Sequence, residues 1–243
     1  MAVKSGAGAS VASGAGYQAR VTAYFASCAL ADAPVPAMPF GKPMGLASET
    51  AEAVDDLQLH FANGRRILAQ AKRSLSFSTA AESELKSVLA QFVIQHIARG
   101  DALDEYCLIT SSAASKRVTG DMRAALEVAK DCSAEVFERD QPKAIVETFA
   151  ALLKSAQDLL RRERPYATIK DARDVLLKMR VVVIDIDPNS ALEQALVLIL
   201  RAAGYSAPSE LWGKLVADSL EWARNRQSID LSIRGASGGA TSR

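Results

Sequence analysis

Apolar and polar positions along the chain change period several times, and the changes mark out its elements. From Tyr17 to Ala31 the larger apolar residues Tyr17, Val21, Tyr24, Phe25 and Cys28 recur at helical intervals, which predicts a first helix. Ala33 to Pro43 carries Pro34, Pro36, Pro39 and Pro43 and reads as loop. Val54 to Phe61 is rich in strand formers, Asn63-Gly64 is a hairpin turn signal, and Arg66 to Arg73 supplies a return strand. A helix to about Arg99 follows, striped by Leu85, Val88, Leu89, Phe92, Val93 and Ile97, with Ser78 or Thr79 as its cap and Glu82 as capping-box partner. Glu105 to Ser111 reads as a buried strand, and Ser112 to Cys132 and Pro142 to Arg162 as helices. Val181 to Ile186 is the clearest strand. Helices Ala191–Ala203 and Pro208–Arg226 come next, with Gly204 as a C-cap and a short strand from Ser228 to Ile233.

This order predicts an α/β fold, a mixed sheet core flanked by helices with an α-rich C-terminal half. Along the chain, residues 1–14 read as a flexible Gly/Ala/Ser arm, 15–133 as the core, 134–234 as a helical extension and 235–243 as a flexible tail or linker. The 243 residues suffice for a substantial core. With 29 basic and 28 acidic residues no global field attracts nucleic acid, so such contacts must come from local clusters. Three widely spaced cysteines argue against a disulfide framework or zinc site and suit a reducing cytoplasm. Neither a membrane span nor a signal peptide is expected. The N-terminal glycines match no phosphate-binding loop.

The candidate chemistry lies on the hairpin. Gln70 and Lys72 share one strand face and Ala71 takes the other. If Asn63-Gly64 is a two-residue loop, Ala62 pairs with Arg65, Leu57 lies opposite Gln70, and Asp55 lies opposite Lys72, with Cβ atoms roughly 4.5–5.5 Å apart. A bulge or an odd loop would bring Asp56 onto that face instead. Together with Glu49 upstream, an aspartate and an amide oxygen can hold Mg²⁺, which takes hard oxygen ligands and keeps several waters. A lysine can then orient the attacking water or stabilise charge on a phosphate. Arg65 and Arg66 at the hairpin tip, Arg73, and Lys116 and Arg117 are candidate phosphate contacts.

Asp55-Asp56-Leu57-Gln58-Leu59 with Gln70-Ala71-Lys72 resembles the core of the PD-(D/E)xK nuclease superfamily, with Gln in the acidic position. The arrangement is more closely similar to the double-stranded DNA endonuclease domain at the N-terminus of bacterial anti-phage effectors. The residues that carry this are Gly16-Tyr17-Gln18, Glu49-Thr50, Asp55-Asp56-Leu57, Gln70-x-Lys72 and Leu108-Ile109-Thr110-Ser111. The resemblance implies a restriction-endonuclease-like core and Mg²⁺ (or Mn²⁺) as cofactor. It implies Glu49, Asp56 and Gln70 as the metal set, Asp55 as an alternate, Lys72 as catalytic lysine and Gln18 as an auxiliary near the site. It also implies a homo-oligomer activated through a sensor domain or partner. The alternative from another class is a non-catalytic module for partner docking or nucleic-acid binding.

Other candidates have plainer explanations. His60 and His96 lack a nucleophile motif around them, and Asp185 and Asp187 fit strand-end acids before Pro188. Arg161, Arg162 and Arg164 complement a helix dipole, with DNA phosphate as their other role.

Overall fold

A computed structural model describes residues 6–35, 38, 41–99 and 103–231. In chain order its elements are α1 (Gly6–Leu30), β1 (Gly45–Ser48), β2 (Leu57–His60), β3 (Arg66–Lys72), α2 (Glu84–Arg99) and β4 (Asp104–Thr110). A π-helical turn (Arg117–Met122) then runs into α3 (Arg123–Val128), followed by α4 (Ala134–Asp140), α5 (Lys143–Glu163) and α6 (Ile169–Leu177). The chain continues through β5 (Met179–Val183), α7 (Ala191–Ala202), α8 (Pro208–Asn225) and β6 (Ser228–Asp230). The α/β class expected from the pattern is observed.

Two compact units, each discontinuous in sequence, make up the chain. The first comprises Met1–Thr50, Asp55–Arg66 and Asp185–Arg243, and the second Ala51–Val54 with Ile67–Ile184.

In the first unit the strands are antiparallel. β1 pairs with β2 in the register Leu46↔Leu59 and Ser48↔Leu57, and on its other side with β6, Ala47 facing Ser228. α1, α7 and α8 pack together in this unit, burying Tyr17, Val21, Phe25, Leu196, Leu200 and Trp212. α1 already begins at Gly6, within the stretch read as a flexible arm. Alanines at 7, 9, 12 and 15 have the highest helix propensity and offset the glycines between them. The first five residues and the tail from 232 onward, with their expected flexibility, lie outside the described residues, as do Pro36 and Pro39 of the predicted loop.

In the second unit β4 and β5 run parallel, Tyr106 facing Met179 and Thr110 facing Val183, with β3 next to β4. One core joins β4 and β5 to α2, α3, α5 and α6 through Leu89, Phe92, Tyr106, Leu126, Leu152 and Val175. α2 starts later than expected: its cap is Ser83, whose Oγ accepts from the Lys86 amide at 3.3 Å, and Ser78 instead closes a local turn by accepting from Ala80 at 3.3 Å. The predicted helix from Ser112 to Cys132 is shorter and opens with the π-helical turn, where Gly120 lowers α-helical propensity. α4 and α6 were not anticipated. α6 does carry a readable signal, the capping box Thr168-x-x-Asp171, with both reciprocal bonds formed.

Candidate functional site

Three of the motif segments come together in the first unit. Beyond Ser48↔Leu57 the backbone pairing of β1 with β2 is carried on by Glu49 N donating to Asp56 O at 3.4 Å and Thr50 N to Asp55 O at 3.0 Å. Glu49 and Asp56 therefore occupy neighbouring positions on adjoining backbones. α1 closes on this pair from a third direction. Its Gln18 Nε2 donates to Glu49 Oε1 at 2.9 Å and to Asp56 O at 3.2 Å, so a single amide tethers one acid's carboxylate and the other's backbone.

Two further features hold this cluster. Glu49 has a φ of 48°, in the left-handed region where a residue with a Cβ is strained. Gln58, 4% exposed on β2, donates from Nε2 to Thr50 Oγ1 at 2.8 Å and so fixes the residue after the strained one. By strand alternation Gln58 shares its face with Asp56, while Leu57 and Leu59 take the other. Asp56 is 9% exposed, whereas Asp55 and Glu49 are half-buried. Thus the buried aspartate is the one bonded through its carbonyl to both Glu49 and Gln18. Gln58 and the backbone of Glu49 were not singled out from the sequence, which gives no signal for a left-handed glutamate.

The hairpin turn differs from the two-residue loop predicted. Phe61 N donates to Arg65 O at 3.0 Å and Gly64 N to Phe61 O at 3.0 Å, so Phe61, rather than Ala62, pairs with Arg65 across the three residues Ala62, Asn63 and Gly64. The physical reason is local. Gly64 has a φ of 78° while Asn63 stays out of the left-handed region, so the two positive φ angles of a tight type I′ turn are not present. Asn63 Oδ1 instead accepts from Arg65 N at 3.1 Å. Arg65 and Arg66 follow this turn, half-buried.

In the second unit Gln70 is buried at 1% exposure, Lys72 is half-buried and Arg73 exposed. Ser111 ties the end of β4 to this segment, its N donating to Arg73 O at 3.2 Å and its Oγ at 2.7 Å. Lys116 is exposed. Arg117 is exposed yet engaged: its Nε donates to Thr148 Oγ1 at 2.9 Å and its guanidinium lies 4.3 Å from the centre of the Phe77 ring. Elsewhere in this unit, Gln95 of α2 donates to Glu52 and accepts from Ala53 N at 3.1 Å, and Arg99 reaches Glu52 Oε1 at 2.9 Å. Among the described residues, no group of three or more His, Cys, Asp and Glu side chains is set to hold a metal ion. No described helix is long and apolar enough to cross a membrane.

The two buried thiols are chemically quiet. Burial pushes Cys107 up to about 12 and Cys28 up to about 11, the latter partly offset by a hydrogen bond with Tyr24.

No protein-family model matches the chain, and no curated protein matches it. Among solved structures the chain is similar, at 9% identity and a TM-score of 0.48, to the Acinetobacter baumannii Cap4 SAVED/CARF-domain containing receptor with the cyclic trinucleotide 3'3'3'-cAAA. The match covers 89% of this chain and 44% of that one.

Proposed function

We propose that the chain is a Mg²⁺-dependent double-stranded DNA endonuclease of the PD-(D/E)xK kind, with Glu49 and Asp56 as metal-holding acids, Gln70 as a supporting amide and Lys72 as the catalytic lysine. The observation that carries this is the Gln18 tether. Tyr17-Gln18, some thirty residues upstream, meets the neighbouring segments Glu49-Thr50 and Asp55-Asp56 through one side chain. Burial supports the choice of acid: Asp56 is buried and its carbonyl accepts from both Glu49 N and Gln18, whereas Asp55 is half-buried.

The donor chemistry fits Mg²⁺, which takes one or two carboxylates from a protein and otherwise keeps water and substrate oxygens. A larger cluster of acids or histidines is not needed for it. When bound, the ion would polarise the phosphate and make its water more acidic. What the chain's own residues contribute is more specific. Gln18 holds the Glu49 carboxylate in one orientation, and Lys72 would orient the attacking water or stabilise the developing phosphate charge. Arg65, Arg66, Arg73 and Lys116 would grip the duplex by its phosphates, giving cleavage without base readout. A role in anti-phage defence, with activation through oligomerisation or a sensor partner, follows from the motif resemblance alone.

Supercoiled plasmid incubated with Mg²⁺ tests the proposal. The wild-type chain is expected to nick it and Lys72→Ala to do so about 100-fold more slowly, the scale of losing one charge-stabilising donor. Equal cleavage by both would remove the assignment.

One observation favours a second reading, a non-catalytic partner-docking module. α7 is apolar around much of its circumference, and Leu198 is left 60% exposed with Ile199 beside it. DNA binding that is insensitive to EDTA, with no nicking, would support that module.

A further inference from the structure

The second unit contains a cavity that the cleavage chemistry does not use. It has a volume of about 290 Å³ and lies between the end of α2, the end of α5, the segment leading into α6, and α6 itself. His96, Arg164, Pro165, Tyr166 and Asp174 supply its chemistry. Three observations set it apart from an ordinary crevice. Tyr166 on its wall is 95% exposed, and Ile169 just beyond is 52% exposed, so a flat aromatic face and an apolar neighbour stand in water. His96 Nδ1 is buried with no hydrogen-bond partner among the described residues, although buried polar atoms are normally satisfied. Three arginines, Arg161, Arg162 and Arg164, lie within five residues of Tyr166 along the chain.

Each cation was checked for a structural role. Arg161 donates from Nε to Ala167 O at 3.1 Å and is committed to closing the loop. Arg164 reaches Ile97 O with one Nη2 contact at 3.4 Å, which leaves most of its guanidinium fork available, and Arg162 is exposed. Of the two acids on the wall, Asp171 is held by the Thr168 amide and hydroxyl, both at 2.7 Å, whereas Asp174 faces the cavity as an acceptor. Burial of the His96 ring, reinforced by Lys178 and Arg164, lowers its basicity, so at neutral pH it presents one donor and one acceptor nitrogen and no charge. A metal is the wrong occupant, since these residues form no metal-holding group.

We propose that this cavity binds a nucleotide: the base stacks on Tyr166 and meets His96 and the Asp174 carboxylate with its polar edge, while the phosphate takes Arg164. An aromatic face beside basic side chains is the combination by which single-stranded nucleic acids and free nucleotides are held without strong base preference. The size is right for one base and leaves no room for a duplex. The site lies wholly in the second unit and does not rest on the metal chemistry proposed above.

The test is therefore run in EDTA. Adenosine monophosphate is titrated by calorimetry and a fluorescein-labelled single-stranded 12-mer by anisotropy, against wild type, Tyr166→Phe and Tyr166→Ala. Tyr166 is almost fully exposed, so neither replacement touches the core, and circular dichroism confirms the fold. Binding is expected in wild type, retained in Tyr166→Phe and weakened about tenfold in Tyr166→Ala. Loss for both probes assigns a free nucleotide as sufficient ligand, and loss for the 12-mer alone assigns a strand. No binding of either probe by wild type, or equal affinity in wild type and Tyr166→Ala, overturns the proposal, whatever the plasmid assay shows.

Discussion

Gln18 donates both of its amide protons within the first unit, one to the Glu49 carboxylate and one to the Asp56 carbonyl. Replacing it with alanine is expected to cost only about 1 kcal/mol of stability, because the site is partly open to water and each bond is worth roughly that net. Plasmid nicking should nevertheless fall about tenfold, as an acid left free to rotate holds a metal less well. Glu193 is the opposite case, a residue whose importance is structural. Its carboxylate accepts from Arg20 at 2.9 Å, Trp212 Nε1 at 2.9 Å and Asn189 N at 2.9 Å. Glu193→Ala leaves those donors without their acceptor and should cost about 2 kcal/mol, seen as a lower denaturation midpoint with an unchanged m-value. The cysteines give a third expectation. Cys28 and Cys107 stay protonated up to about pH 11 and 12 and are buried, so brief iodoacetamide treatment of the native chain at pH 8 should label Cys132 first, as peptide mass spectrometry would show. At this scale the sequence was informative about residue identity and less so about conformation. Gln18, Glu49 and Asp56 were singled out from the sequence and meet in the structure, but the left-handed backbone of Glu49 depends on a pairing that single-residue propensity does not encode.

The long amphipathic helices α2, α5 and α8 were readable because their apolar stripes repeat over several turns. α4, with seven residues, was too short to show a period. The hairpin shows the limit for strands. Asn63-Gly64 marked the turn correctly, but where the ladder closes is decided by the φ of one residue, and a shift of one position exchanges the faces of Asp55 and Asp56. Gly204 was legible as a C-cap and proves to be one: with φ at 92° its N donates to Arg201 O at 3.0 Å, and Tyr205 N donates to Leu200 O at 3.2 Å, closing α7 with both bonds of a Schellman motif. Open space surrounds the position, so Gly204→Ala adds no clash and only conformational strain, expected to cost about 1 kcal/mol in chemical denaturation.

For the chain as a whole, the α/β class was legible and the pairing of distant strands was not. Periodicity reports elements one after another, whereas β1 pairs with β6 near the far end of the chain, Ala47 facing Ser228. No local pattern announces such a partner. Charge is likewise distributed rather than global: the net value of +1 leaves any nucleic-acid affinity to small sites such as Arg65-Arg66 and Arg162-Arg164. The central proposal, that Glu49 and Asp56 hold a divalent cation, can be measured without any cleavage assay. Mn²⁺ is titrated into the purified chain and the free ion followed by electron paramagnetic resonance. Wild type and Asp55→Asn should bind it alike, while Glu49→Gln and Asp56→Asn should each weaken it about tenfold or more. Undiminished Mn²⁺ binding by Asp56→Asn, or none by wild type, would contradict the account.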